Sequence, residues 1–204
     1  MYDPWGLDTD LLDSLSGLAW VVDADYRICN YGRRNWHAFN RANGDGAWAD
    51  DERVLGTSLM SAIHGAEVRA MYARMLDDIF SGRTGEIAFG YRCDSSERQR
   101  DMRLALTPVR RAGTVVAALF HSTTLAEEMR PPINLYDSRR LSQALEAADT
   151  LPTVCMCSLC QRVRPPGGHW LTAEQYYRDG HPSQVAISHT LCRLCGYQRC
   201  GETA

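Results

Sequence analysis

The apolar positions of the first 125 residues recur with two different periods, and those periods predict the elements. In GLAWVVDADYRICNY (17–31) two short apolar runs flank Asp23-Ala24-Asp25, the pattern of two strands joined by a turn. RRNWHAFNRANG (33–44) has helical spacing and is ended by Asn43-Gly44. After a polar stretch, Thr57 or Ser58 is placed to cap a brief helix carrying Leu59, Met60 and Ile63. The spacing predicts a longer helix over 65–81, where Val68, Met71, Tyr72, Met75, Leu76, Ile79 and Phe80 form one apolar face and Gly82 stops the run. Three strands are expected next, at 85–93, 100–110 and 113–122, the last two joined through Arg111-Ala112-Gly113. Two strands, small helices, one long helix and three strands make an α+β domain with an antiparallel sheet and helices on one face.

Beyond 125 the pattern changes. Residues 126–152 read as a linker: Arg130-Pro131-Pro132 breaks the chain, Asp137 can cap a short helix with Leu141, Leu145 and Ala148 on one stripe, and Thr150-Leu151-Pro152 ends it. The expected division is a domain over 1–125, a linker over 126–152 and a C-terminal module over 153–204. Ahead of the first strand, Leu7, Leu11, Leu12 and Leu15 make an apolar stripe, which suggests homodimerisation through 7–16.

The composition, 45% hydrophobic and 23% charged over 204 residues, is that of a globular chain. No apolar run approaches the ~18 residues of a membrane span, and the acidic start MYDPWGLDTDLLD does not resemble a signal peptide, so a cytoplasmic, non-membrane protein is expected. All 22 basic residues are arginine, which excludes Schiff-base chemistry, a P-loop lysine and any lysine base. There is no nucleophile–base pairing, glycine-rich phosphate loop or HExxH, so no enzymatic activity is expected. His37 and His121 stand alone in the sequence.

Cysteine carries the chemistry. Of the 8 cysteines, Cys29 and Cys93 lie apart, and the others crowd between 155 and 200. Cys157-x-x-Cys160 and Cys192-x-x-Cys195 form two knuckles. A CxxC turn points both sulfurs to one side, and two such turns supply four ligands for one tetrahedral, structural zinc ion. His189, three residues before Cys192, is the alternative ligand, and Cys155 and Cys200 are surplus. A dithiol redox pair is the rival reading, but the βαβ pattern of thioredoxin-like CxxC motifs is missing. DNA binding is the other rival. Five arginines against three acids between 151 and 204 leave only +2, and no basic helix is evident, so nucleic acid is weakly supported and a protein-contact surface fits better.

Two family resemblances extend this reading. The VVDADYRICNYGRRNWHAFN stretch, VLGTSL and the long helix make 11–125 similar to a PAS domain. That resemblance implies a sensory or regulatory role, with Trp20, Trp36, Phe39, Phe89, Tyr91 and Phe120 lining the interior, either as core filling or, for some of them, as the wall of a pocket for a small apolar ligand. The Asn-Cys-Arg stretch of flavin-binding members is missing, and only His64 lies where haem-binding members place an axial histidine, so neither flavin nor haem is expected. The C-terminal segment resembles a short module that follows sensory domains in bacterial signalling proteins. CSLCQRVR (157–164), Gly168, Trp170, Tyr176 and Ile187-Ser188-His189 with Cys192 and Cys195 carry the match, and Thr190 and Arg193 replace the usual glycine and proline. Trp170, Leu171, Tyr176, Tyr177 and Val185 are expected to pack around the metal. At this length no kinase catalytic domain is expected, so output would pass through a protein partner.

Overall fold

The computed structural model describes residues 8–43, 50–137 and 151–200. The helix expected after Asp137, with Leu141, Leu145 and Ala148, lies outside the described residues, as does Leu7. The chain divides into two compact units. The first is Met1–Ile63, Arg69–Gly90 and Met102–Leu125, and the second is His64–Val68, Tyr91–Asp101 and Ala126–Ala204. No described helix is long and apolar enough to cross a membrane.

In the first unit the opening turn forms where the aspartates predicted it. Strands β1 (Leu18–Val22) and β2 (Ile28–Tyr31) pair antiparallel, and the Asp23 carboxylate between them accepts the N–H of Asp25 at 3.0 Å and of Arg27 at 2.8 Å. Helix α1 (Thr9–Ser14) is capped by Asp8. Helix α2 (Arg33–Asn43) follows Gly32, which has no side chain to cap it. Asp13 of α1 supplies the cap instead, its two oxygens accepting the N–H groups of Arg34 and Asn35 at 3.1 Å each. A Cβ at Gly32 would stand 3.0 Å from the Leu12 carbonyl, so glycine is what lets α1 reach α2. Helix α3 (Asp51–Val54) was hidden in the polar stretch and is capped by Asp50. Helix α4 (Leu59–Ala62) begins after Ser58.

Helix α5 (Ala66–Phe80) buries Val68, Met71, Met75, Leu76 and Ile79, the stripe that the spacing predicted. Gly82, at φ 73°, ends it by the left-handed turn only glycine adopts cheaply. Strands β3 (Ile87–Arg92), β4 (Arg98–Arg111) and β5 (Thr114–Met129) complete a five-stranded antiparallel sheet in the order β2-β1-β5-β4-β3. Ala112 and Gly113 both take positive φ, the two-residue turn that matches strand twist. The architecture is α+β. One face of the sheet packs Ala19, Val21 and Ala117 with Leu12 of α1, while Leu15 is partly buried against the same cluster and Leu11 is 55% exposed. The stripe on α1 is thus largely spent on the sheet. Strand alternation sends Trp20 and Phe120 to the opposite face.

The second unit has its own core. Strand β6 (Thr153–Cys157) pairs antiparallel with β7 (Val163–Arg164) and parallel with β8 (Ala186–Thr190). Helix α6 (Ala173–Arg178) carries a full capping box between Thr172 and Gln175, and helix α7 (Arg193–Cys200) is the last described element. Val154, Met156, Val163, Ala173, Tyr176 and Val185 are buried together. So are Ile133 and Leu135, from the segment that reads as a linker: β5 runs to Met129, and a 3-10 turn over Asn134–Tyr136 then enters this core.

Ion pairs surround the β3–β4 connection. The Asp94 side chain is fully buried between Arg92 (2.5 Å) and Arg130 (2.9 Å) and also accepts the Arg100 N–H. Removing one member of such a group would leave a buried charge alone. Arg100, 4% exposed, is met by Glu127 at 2.5 Å. Arg100 first, and then Arg98, hold the Glu127 carboxyl below the usual carboxylate range. Its folded value lies below its unfolded one, so its stabilisation is present above about pH 4.3 and is lost as pH falls through the folded value. Glu127→Gln is expected to lower the thermal midpoint at pH 7, with the gap to wild type closing as both are acidified to about pH 3.

Candidate metal centre

The sulfurs converge because two different turns end at one place. β6 delivers Cys157 at its last residue. The chain then reverses through Ser158–Gln161, closed by the Gln161 N–H on the Cys157 carbonyl at 2.9 Å and the Cys157 N–H on the Arg162 carbonyl at 2.9 Å. Gln161 sits at φ 55°, the left-handed residue of this knuckle. The second pair is built differently. β8 runs parallel to β6 with Thr190 opposite Cys157, and the Ser158 N–H bonds the Thr190 carbonyl at 2.9 Å. Cys192 then stands just before α7 and Cys195 in its first turn.

The Sγ atoms of Cys157, Cys160, Cys192 and Cys195 all lie within 4.8 Å of one another, and these four could hold a metal ion. Cys157 and Cys192 are buried. A tetrahedral ion with bonds of about 2.3 Å to sulfur sets its ligands about 3.8 Å apart, and Cys160 and Cys192 are 3.7 Å apart. Cysteines 29, 93 and 155 are likewise unbridged. The Cys192 N–H points to the Cys157 sulfur at 3.4 Å, and the start of α7 faces the cluster, both of which favour thiolate. The Cys157 thiol is lowered to about 4, chiefly by the hydrogen bond from Cys160, and backbone N–H groups of Cys160, Cys192 and Leu159 add to this. Cys160, the donor of that bond, is raised by it and by burial. Burial and the charge on Cys157 push Cys195 up to about 12. Four sulfurs this close resist joint ionisation, and a central dication would remove that cost while releasing their protons.

His189 lies outside this set. Its Nδ1 is 3.5 Å from the Ser158 hydroxyl, its ring stacks on His64 at 6.0 Å, and burial, then His64, lowers it. The Cys155 sulfur is also apart and meets Arg164 at 3.7 Å. Thr190 ends a strand and Arg193 opens a helix, so Thr190 does not need the conformational freedom of glycine, and Arg193 reaches helical φ without the fixed ring of proline. Tyr176 and Val185 are buried in the neighbouring core with Tyr177 against it, Leu171 is buried beside Val163, and Trp170 stacks under Arg164 at 5.1 Å.

In the first unit, Trp20 stacks on Phe120 at 5.1 Å and meets Trp36 edge-on at 5.8 Å. Phe39 is half-buried one helical turn beyond Trp36. Phe89 and Tyr91 are two residues apart on β3, the first buried and the second, in the second unit, half-buried. A polar group that no sequence motif marks lies nearby: the buried Tyr31 hydroxyl donates to Asp51, with His37 at 3.3 Å and Arg33 on Asp51 at 3.1 Å. Tyr31 is raised by burial and by that bond. His121 bonds the Ser16 carbonyl at 2.7 Å. Near the sulfurs stands Glu67, which no motif marks and which accepts the Thr190 hydroxyl at 2.6 Å across 123 positions of chain. Cys192→Ser is expected to abolish stable metal binding and loosen the second unit in thermal unfolding, whereas Cys155→Ser should leave the metal content unchanged.

No family model matches the sequence, and no curated protein matches it. Solved structures similar to it include the PAS domain of BvgS from Bordetella pertussis, at 17% identity and TM-score 0.48, covering 72% of this chain and 100% of that one. A sensory box sensor histidine kinase from Vibrio cholerae is 15% identical at TM-score 0.41, over 58% of this chain and 88% of that one. The VqmA–ligand–DNA complex of Vibrio cholera is 13% identical at TM-score 0.36, and the match spans 57% of this chain and about half, 49%, of that one.

Proposed function

We propose that this chain is a non-enzymatic sensory or regulatory protein in which a PAS-like domain is combined with a module built on one structural zinc ion. The observation that carries the zinc reading is the set of four sulfurs within 4.8 Å of one another. Sulfur-only ligation in a small tetrahedral cluster suits zinc better than a hard cation, and four protein ligands leave no open position for a substrate. The core beside the cluster is small, so the metal supplies part of what holds the module together.

The sensory reading rests on the PAS resemblance of 11–125 and on the strand order β2-β1-β5-β4-β3 with the helices inserted between β2 and β3. Its input would be a small, mainly apolar ligand against Trp20, Trp36 and Phe120. The buried Trp20 indole N–H, which has no acceptor among the described residues, would be the ligand's polar contact. Output would pass to a protein partner.

Metal analysis with an absorbance spectrum of the purified chain tests this reading. One zinc per chain, no visible band and four thiols protected from alkylation are expected. A Soret or flavin band would overturn the cofactor-free view of the first domain. Freely alkylated cysteines that turn over a dithiol substrate would replace the structural site with a redox one.

A further inference from the structure

The cysteine turns are not held by the C-terminal segment alone. On the first, the Leu159 carbonyl accepts the Arg92 N–H at 2.7 Å, and Gln161 Oε1 accepts the Asp94 N–H at 2.9 Å. Tyr136 donates its hydroxyl to the Gln161 carbonyl at 3.0 Å, under the Arg130 guanidinium. Gln161 is therefore fixed at both ends, and its partner Asp94 is itself clamped by Arg92 and Arg130.

On the second turn, Glu67 Oε2 accepts the Thr190 hydroxyl at 2.6 Å and the Leu191 N–H at 3.4 Å. Gly65, at φ 90°, passes so close that a Cβ there would stand 2.3 Å from the His189 carbonyl oxygen. The contact is therefore made backbone to backbone, and only glycine fits it. Segments 64–68 and 91–101 thus each bond to residues beside the ligands in one of the two cysteine turns, and all of these groups lie in the second unit.

Resting on the zinc reading above, we infer that Glu67 and Gln161 are positioning residues of the metal centre, tying its two knuckles to segments 64–68 and 91–101, so that zinc binding and the ordering of those segments are one coupled event. A knuckle without its outer bond samples more conformations, and the ion must then order it as it binds. Outer contacts of this kind typically change metal affinity about 10–100-fold. Linkage is reciprocal, so an agent that displaces 64–68 or 91–101 weakens zinc binding by the same factor by which zinc weakens the binding of that agent. The two segments open α5 and connect β3 to β4. The metal centre is in this way tied to two segments of its own unit encoded far from its cysteines.

The test uses the full chain, zinc and a competing chelator. Glu67→Ala and Gln161→Ala are each expected to raise the zinc dissociation constant about tenfold. Glu67→Gln keeps an acceptor and should bind like wild type. The thermal midpoint of metal-free Glu67→Ala should match metal-free wild type, which separates positioning from a general loss of stability. Hydrogen exchange on zinc removal should rise in 64–68 and 91–101 as well as in 153–195. If both alanine variants hold zinc as tightly as wild type and exchange rises in 153–195 alone, the coupling is overturned while the zinc site stands. A wild-type chain that takes up no zinc overturns both.

Discussion

Four thiol sulfurs gathered within 4.8 Å are an arrangement that protein atoms alone do not favour. Each thiolate raises the cost of ionising the next, and the Cys157 thiol is lowered while its hydrogen-bond partner Cys160 is raised. Backbone N–H groups and the start of α7 ease the charge on one sulfur, not on four. A cation among them would resolve the conflict and join two turns that share no covalent link. The parallel pairing of β6 with β8 sets those turns side by side, and the core around Tyr176 holds the strands.

That core is small, and its composition explains why the second unit draws on distant chain. Ile133 and Leu135 contribute to it from beyond β5, and Asp94 anchors the neighbouring backbone through two guanidinium groups. In the first unit the constraints are of another kind: a twisted sheet, an amphipathic helix and caps such as Asp13 that act from one helix on the next. The aromatic cluster of Trp20, Trp36 and Phe120 lies there, with Tyr31 of the Tyr31–Asp51–Arg33 group edge-on to Trp36.

The legible parts of this fold were those with a local cause. The stripe of α5, the stop at Gly82, the Asp23 turn and both CxxC pairs are written within a few residues of where they act. The last third of β5 was not legible, because Leu125 and Met129 are exposed and the residues between them are polar or small, so no alternation marks the strand. Ile133 and Leu135 follow two prolines and read as linker, although they are buried. The cap on α2 comes from Asp13 and the brace on the second knuckle from Glu67, and neither position carries a motif. Spacing showed which residues could be ligands, and only the folded chain shows what holds those ligands in place.

The proposal of a four-thiolate zinc centre is tested most directly by zinc K-edge X-ray absorption on the purified chain. A single shell of four sulfurs at about 2.3 Å is the expected result. A shell in which nitrogen replaces a sulfur, or a chain that carries no zinc, would contradict it.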